Sequence, residues 1–218
     1  MLNILYKDHQ IFALNKPAGI AVQTDKTGDP ALQGLAEVYC KQPLHAAHRL
    51  DRPASGVVVF AKTKTAMTTL TEQFRSRSVE KTYLAVVQSP PPASEGTLVH
   101  FLKKNEAKNV AKVYTEEQPG TERAEIRYRL LGSSERYHLL EVQLITGRHH
   151  QIRAQLAAIG CPIKGDVKYG FRRSNRDRSI HLHAWRIAFD HPVSGERIRL
   201  EAALPEGDPV WSAFAGTL

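Results

Sequence analysis

The sequence predicts an α+β fold, a largely antiparallel mixed sheet with flanking helices. Strand-like segments outnumber helical ones, and several neighbouring strands are separated only by a short turn. Strands do not alternate regularly with helices, so a doubly wound parallel sheet is not expected. The 218 residues are 42% hydrophobic, which suits one compact domain over residues 1–218.

In the first half of the chain, residues 2–8 and 11–16 predict a strand hairpin. Asp29 and Pro30 predict a helix start, with Asp29 as N-cap and proline in the first turn. Leu32, Leu35 and Tyr39 continue at helical spacing. The apolar run GVVVFA at 56–61 predicts a buried strand. A helix with Met67, Leu70 and Phe74 on one face is expected next, ending at the basic residues 75–77.

Strands predominate in the second half as well. They are predicted over 82–87, 125–131, 137–145, 180–189 and 197–202. The proline-rich residues 89–96 predict a loop, where an insertion or a boundary between two lobes is most expected. A helix is predicted over residues 149–159, with Ile152, Leu156 and Ile159 as its apolar stripe and Gly160 as its end.

Positive charge is in excess and unevenly distributed. Thirty Lys and Arg residues face 22 Asp and Glu residues, a net charge of +8, which favours a polyanionic partner. Residues 164–178, called the basic segment below, carry Lys164, Lys168, Arg172, Arg173, Arg176 and Arg178. Its glycines and serine predict a mobile loop. A merely solvated surface loop is the alternative.

Several classes of protein are excluded by what the sequence lacks. No apolar run approaches the length of a membrane span, and charged residues interrupt the start where a signal peptide needs an apolar stretch. A cytoplasmic protein without a membrane partner is therefore expected. No dense Cys/His/carboxylate spacing predicts a metal, no glycine-rich motif predicts a nucleotide cofactor, and no GxSxG motif predicts a serine hydrolase.

Asp51 occupies the most informative position. It ends HRLD at 48–51 and leads through Pro53 and Gly56 into the predicted buried strand. A carboxylate at the mouth of a core strand is partly desolvated, so its charged form needs a cationic partner. Spacing alone leaves open whether Asp51 acts chemically or only caps a turn.

The segment around Asp51 resembles the active-site signature of the RluA-type RNA pseudouridine synthases, and five further segments resemble motifs of that family in the family's order. The six are NKPAG at 15–19, HRLD-x-x-x-SG at 48–56, EKTYLAVV at 80–87, TGRHHQIRAQL at 146–156, GDVKYG at 165–170 and LHAWRIAFDHP at 182–192. Together they span nearly the whole chain. The resemblance implies the pseudouridine synthase catalytic-domain fold.

The resemblance also implies a function: isomerisation of specific uridines in structured rRNA or tRNA, without a cofactor or a metal. It makes Asp51 the catalytic residue, Arg153 its ion-pair partner and Tyr83 the tyrosine that stacks on the target base. Arg153 lies beside the apolar stripe of its helix, which suits a semi-buried pair. Arg49 would fill the space that the flipped nucleotide leaves. Phosphate contacts are expected from further basic residues, namely Lys16, Arg148, Arg172, Arg173 and Arg176.

Two features depart from the family pattern. Ala54 stands where the family usually has threonine, and the chain begins directly at the catalytic domain. No separate N-terminal RNA-binding domain is expected, and the protein is expected to act as a monomer. A non-catalytic RNA-binding protein on the same scaffold is the alternative function. A metal-dependent nuclease would need clustered acidic ligands, which the sequence lacks.

Overall fold

The computed structural model describes residues 2–24 and 28–218, which form two compact units. The first unit comprises residues 1–81 and 183–205, and the second comprises residues 82–182 and 206–218. The expectation of a lobe boundary at 89–96 is wrong, because that loop lies wholly within the second unit. The chain passes from one unit to the other within β5 (Glu80–Val87), near the start of β10 (Leu182–Asp190) and between residues 205 and 206. Hydrophobicity gives no sign of a boundary inside the two strands.

The first unit contains the sheet of the predicted hairpin and the buried strand. Its strands are β1 (Asn3–Lys7), β2 (Ile11–Lys16), β3 (His45–Ala46), β4 (Ser55–Ala61), β10 (Leu182–Asp190) and β11 (Arg197–Glu201). Their order is β1-β2-β4-β10-β11, with β3 also beside β4. Every pair is antiparallel except β4 and β10. All seven residues of β4 are buried, which confirms the strand predicted from its β-branched run.

Two helices belong to this unit, α1 (Leu32–Cys40) and α2 (Lys64–Ser76). The apolar face of α2 packs through Met67, Leu70 and Phe74 on a core that includes Val57, Val59 and Phe189. Its start is fixed by Thr63, whose side chain accepts a hydrogen bond from the Ala66 N–H. The predicted helix with Met67, Leu70 and Phe74 on one face is therefore confirmed.

The predicted start of α1 is wrong. The helix begins at Leu32 after Ala31, and Asp29 pairs instead with the Arg52 guanidinium at 2.6 Å. A side-chain cap is unnecessary because the N–H groups of Leu32 and Gln33 donate to the carbonyls of residues 21 and 22, at 2.8 and 2.9 Å.

The second unit is built on an antiparallel meander and one buried helix. Its strands are β5 (Glu80–Val87), β6 (Glu95–Asn105), β7 (Val110–Tyr114), β8 (Glu122–Ser133) and β9 (His138–Leu144), in the order β5-β9-β8-β6-β7. Its helices are α3 (Gln151–Ala158) and α4 (Pro209–Ser212). The sequence analysis missed β6 and β7, because β6 buries only Leu102 among its eleven residues and lacks a clear apolar face.

Helix α3 is more deeply buried than its sequence pattern indicates. Residues 151–156 are all buried, including Gln151, Arg153 and Gln155. The predicted stripe residues Ile152 and Leu156 are buried, but the stripe does not describe the whole buried face, because the polar side chains of this helix also point into protein. No helix in the described ranges combines the length and apolar character that crossing a membrane requires.

Candidate functional site

In the first unit, Asp51 lies in a tight turn that leads into β4. The Ala54 N–H donates to the Asp51 carbonyl at 3.0 Å, and the Asp51 side chain is half-buried while Arg49 is exposed. Gly56 follows with φ +116°, and a Cβ there would lie 2.2 Å from the Ala184 carbonyl oxygen of β10. Only glycine permits this close approach of the two backbones, so the start of β4, directly after the Asp51 turn, is held against β10.

Lys16 stabilises the Asp51 turn through hydrogen bonds to backbone carbonyls. Its side chain is 0% exposed, and Nζ donates to the carbonyls of Pro17, Ile20 and Arg52 at 3.0, 2.9 and 3.2 Å. Burial lowers the pKa of Lys16 to about 7, while the negative charge of Asp51 opposes that shift. The expectation that Lys16 contacts RNA phosphate is therefore corrected: its ammonium is buried against backbone carbonyls and organises the turn.

Two histidines, the half-buried His48 and the buried His183, hydrogen-bond to the two ends of this region. The Val59 N–H donates to His48 Nε2 at 3.2 Å, and burial lowers the pKa of His48 to about 3. Burial also lowers the pKa of His183 to about 4, so its ring is neutral. Its Nε2 lies 3.1 Å from the Ala202 carbonyl, which only accepts, so Nδ1 accepts from the Ser55 hydroxyl at 2.8 Å. Both rings serve as structural anchors.

In the second unit, Arg153 and Asp166 form a buried ion pair. Arg153 Nε donates to Asp166 Oδ2 at 2.7 Å and Nη2 donates to Oδ1 at 2.9 Å. The side chains are 5% and 1% exposed. The guanidinium carbon also lies 5.1 Å from the centroid of the Tyr169 ring. The burial predicted for Arg153 is thus found, whereas Asp166 was missed as a partner, although it stands in the GDVKYG motif.

Tyr169 ties this pair to the neighbouring elements. Its hydroxyl accepts from the Ala111 N–H of β7 at 2.7 Å and lies 3.0 Å from His150 Nδ1. The same 3-10 turn, Val167–Tyr169, carries Lys168, whose Nζ donates to the Asn109 carbonyl at 3.3 Å. The basic segment is thereby joined to the β6–β7 hairpin, which exposes four lysines that the sequence analysis did not consider: Lys103, Lys104, Lys108 and Lys112.

The turn before α3 is held by a buried polar network. Gln151 Oε1 accepts from the Thr146 hydroxyl at 2.8 Å and from the Arg148 N–H at 2.9 Å. The Arg148 side chain lies near the surface, paired with Glu122 and bonded to the Arg123 carbonyl at 3.2 Å. Arg148 thus lies at the entrance of α3, and its guanidinium has protein partners. That it contacts RNA phosphate stays a prediction.

The other predicted site residues in this unit differ in exposure. Tyr83 lies on β5 opposite Val142 of β9 and is 8% exposed. The arginines at 172, 173 and 176 are exposed. Among the described residues, no group of three or more His, Cys, Asp or Glu side chains is arranged to hold a metal ion.

The model of the RNA pseudouridylate synthase family matches residues 10–158 of this chain. The chain belongs to this family. Pseudouridine synthases are isomerases, so the enzyme class predicted from the motifs is confirmed.

Three relatives illustrate the range of the match. The synthase is 34% identical over 206 residues to an uncharacterized RNA pseudouridine synthase of Mycoplasma pneumoniae, covering 93% of this chain and 67% of the relative. It is 35% identical to the ribosomal large subunit pseudouridine synthase C of Yersinia pestis, covering 92% and 65%. It is 32% identical to the tRNA pseudouridine synthase C of Salmonella typhimurium, covering 94% and 86%.

Solved structures show the same fold. The human RNA pseudouridylate synthase domain containing 4 superposes on the synthase with a TM-score of 0.76 at 28% identity, covering 94% of this chain and 89% of that one. The human RNA pseudouridylate synthase domain containing 1 gives a TM-score of 0.77 at 23% identity, covering 100% of this chain and 87% of that one. At this identity the similarity bears on the fold alone. The predicted pseudouridine synthase fold is confirmed.

Two buried polar contacts join family motifs that lie apart in the sequence. In the first unit, the Ser55–His183 hydrogen bond joins HRLD-x-x-x-SG to the LHA strand. In the second unit, the Arg153–Asp166 pair joins the HQIR helix to GDVKYG. In each case, side chains from two separate motifs make one buried polar contact in the folded chain.

Proposed function

We propose that this synthase isomerises specific uridines in structured rRNA or tRNA to pseudouridine, with Asp51 as its catalytic residue. The observation that supports this most strongly is the half-buried Asp51 carboxylate, fixed in a turn that the buried Lys16 fastens. Relatives named for ribosomal and for transfer RNA support both substrate classes. We further propose that the two units work as one catalytic domain, since both carry family motifs.

In the proposed reaction the C1′–N1 glycosidic bond of uridine breaks, the base turns, and a C1′–C5 bond forms. C5 loses its proton and N1 gains one, so no electrons or groups are exchanged with a cofactor. Asp51 acts either as the nucleophile at C1′ or as a base toward the ribose. Both roles require the ionised carboxylate, which a nearby positive charge stabilises.

Arg153 is the proposed source of that charge. Its two hydrogen bonds to Asp166 use Nε and Nη2, and a guanidinium has a further nitrogen with which to bind a second carboxylate. We propose that Arg153 binds Asp51 in this way while Asp166 fixes its orientation. Tyr83 is proposed to stack on the target base. Arg49, which is exposed, is proposed to occupy the space that the flipped nucleotide vacates.

RNA binding is proposed to rest on exposed cations of the second unit. Arg172, Arg173 and Arg176 are exposed in the basic segment, and Arg148 lies near the surface at the entrance of α3. Such side chains neutralise phosphates and position RNA without reading its sequence. Cytoplasmic localisation and a monomeric state stay predictions.

The decisive experiment compares Asp51→Asn with Asp29→Asn, in an EDTA-containing buffer. Asp29 is the matched control, because it is an acidic residue of the same unit that pairs with Arg52 next to Asp51. RNA carrying tritium at uridine C5 releases the label when pseudouridine forms. We expect release by the wild type and Asp29→Asn, and none by Asp51→Asn, which should still bind RNA.

Each contrary result has a distinct meaning. Substantial release by Asp51→Asn would overturn the catalytic role of Asp51. A wild type that binds RNA but modifies no uridine in total RNA would support the non-catalytic alternative. Activity that EDTA removes, with the RNA still folded, would overturn the cofactor-independent reaction.

A further inference from the structure

We propose that Asn175 is a positioning residue that holds the arginines of the basic segment in place before RNA arrives. The proposal rests on the function proposed above, in which Arg172, Arg173 and Arg176 contact phosphate. Asn175 stands within this row of exposed arginines but is itself half-buried. Its side chain therefore connects an exposed stretch of chain to the interior of the second unit.

Both ends of the Asn175 amide are engaged. Its Oδ1 accepts from Lys164 Nζ at 2.7 Å, and its Nδ2 donates to Ser179 Oγ at 3.1 Å and to His181 Nδ1 at 3.0 Å. The Asn175 carbonyl accepts from the Arg178 N–H at 3.0 Å. The Asn175 side chain thus joins Lys164, at the beginning of the basic segment, to Ser179 and His181, just beyond its end.

The proton pattern around His181 fixes the orientation of that amide. His181 is 1% exposed, and its Nε2 lies 3.1 Å from Asp208 Oδ1. Burial lowers the pKa of His181, so the ring is neutral at neutral pH and carries one N–H. The Asp208 carboxylate accepts that proton from Nε2, which leaves Nδ1 to accept from Asn175. The donors and acceptors therefore form one consistent series of hydrogen bonds, from Lys164 through Asn175 and His181 to Asp208.

The last member of this series of hydrogen bonds, Asp208, is held by contacts with the C-terminal residues. Asp208 also accepts from the N–H groups of Val210 and Trp211 at 2.8 and 3.1 Å, at the start of α4. The Trp211 ring, 3% exposed, stacks on His181 with centroids 5.2 Å apart. The His181 ring that accepts from Asn175 is thus held by the Asp208 carboxylate and by packing on Trp211, both outside the basic segment.

Gly165 supplies a second, independent indication that Asn175 is fitted to this place. Gly165 has φ +87°, and a Cβ there would lie 2.7 Å from Asn175 Nδ2 and 2.8 Å from the Ser179 carbonyl oxygen. Any larger residue would displace the amide or the backbone beside it. The GD pair of the GDVKYG motif therefore serves both halves of the segment: Asp166 binds Arg153, and Gly165 leaves room for Asn175.

This anchoring matters for binding because loose cations lose conformational entropy when they engage phosphate. Ordering one rotamer-rich side chain on binding costs roughly 0.5–1.5 kcal/mol, which corresponds to a factor of about 2 to 12 in affinity. A segment that is fixed in advance avoids part of that cost. Loss of Asn175 should therefore weaken RNA binding without altering the chemical step.

The experiment uses the full chain and four variants: Asn175→Ala, the milder Asn175→Ser, the neighbouring control Ser174→Ala, and the triple variant R172Q/R173Q/R176Q. Asn175→Ala should raise the Kd for substrate RNA by about threefold to tenfold and leave the single-turnover rate at saturating RNA unchanged. Asn175→Ser should lie between it and the wild type, and Ser174→Ala, an exposed residue, should match the wild type. Limited trypsin digestion should cut faster after the segment's arginines in Asn175→Ala.

Adding Asn175→Ala to the triple variant separates positioning from general stability. If Asn175 acts through the arginines, the addition should not weaken RNA binding further. An additive loss, or unchanged affinity and trypsin cleavage in Asn175→Ala, would overturn the positioning role even where the triple variant binds poorly. If the triple variant itself binds RNA like the wild type, the proposed phosphate contacts fail instead. Should Asn175→Ala not fold, the same comparisons are decided on Asn175→Ser.

Discussion

Among the residues that the structure describes, each unit buries one lysine or arginine side chain, and the two units hold that cation in different ways. In the first unit, Lys16 is 0% exposed and donates to three backbone carbonyls. In the second, Arg153 is 4% exposed and binds the Asp166 carboxylate through two parallel hydrogen bonds. Burial lowers the pKa of Lys16 to about 7, because carbonyl dipoles carry only partial charge and do not replace the lost hydration of the ammonium. Arg153 has a full counter-charge in direct contact.

The difference shows that the donor geometry of each cation suits the groups it binds. An ammonium donates in three separate directions, so Lys16 collects carbonyls from the NKPAG turn and from the Asp51 turn. A guanidinium is planar and its donors suit a carboxylate, so Arg153 joins α3 to one side chain of the basic segment. The first arrangement secures the backbone around Asp51, and the second secures a side chain.

The largest effect is expected from Asp166→Asn, which removes the carboxylate charge that Arg153 binds through two hydrogen bonds but keeps the shape of that partner. Breaking a buried ion pair by neutralising one member typically costs about 3–5 kcal/mol, because the other charge stays buried. We expect a loss of that order in the free energy of unfolding, measured by urea denaturation. The double variant R153M/D166L should lose less than Asp166→Asn. A loss below about 1 kcal/mol for Asp166→Asn would contradict the comparison.

Lys16→Met is expected to have a smaller but clear effect. The substitution keeps the buried chain length and leaves the carbonyls of Pro17, Ile20 and Arg52 without this donor. An unsatisfied buried acceptor costs about 1–3 kcal/mol, and removing an ammonium from the interior offsets part of that loss. We expect a net destabilisation of about 1–2 kcal/mol in urea denaturation. Lys64→Met, at an exposed lysine of the same unit, should lie near the wild type.

The pH dependence of that difference tests the state of Lys16 directly. Its pKa is about 7 in the folded protein, against 10.5 for an ordinary lysine. Between these values the unfolded chain binds more protons, so wild-type stability should rise with pH relative to Lys16→Met. The slope is at most about 1.4 kcal/mol per pH unit. A difference that stays constant from neutral to alkaline pH would show that the folded pKa is not lowered.

The sequence analysis succeeded where one residue's surroundings follow from its neighbours along the chain. The apolar run of β4 and the stripe of α2 predict their own burial, and Arg153 follows from its place beside Ile152. It failed where the folded backbone, rather than the local pattern, brings the partners together. The Pro17 and Ile20 carbonyls are near Lys16 in sequence, but only the folded turn places them and the Arg52 carbonyl around its ammonium. Asp166 lies thirteen residues from Arg153. The β6–β7 hairpin was missed because its lysine-rich strands bury little.

The smallest effect is expected from Arg52→Ala, at an exposed counterpart of the buried pair. Arg52 and Asp29 approach to 2.6 Å, as close as the 2.7 Å of Arg153 and Asp166. Their side chains are 33% and 57% exposed, so water solvates both charges when the contact is lost. Exposed ion pairs contribute about 0–1 kcal/mol. We therefore expect Arg52→Ala to change the free energy of unfolding by less than about 1 kcal/mol.

Arg52→Ala removes the side-chain contact with Asp29 but keeps the hydrogen bonds of the Arg52 backbone carbonyl. Its carbonyl, which accepts from Lys16 Nζ at 3.2 Å and from the Gly19 N–H at 2.8 Å, is unchanged in Arg52→Ala. The variant should thus retain the Asp51 turn, and tritium release should stay near the wild-type rate. The small stability loss should shrink further in high salt, which screens exposed charges. A loss as large as that of Asp166→Asn would show that contact distance, rather than burial, determines what these pairs contribute.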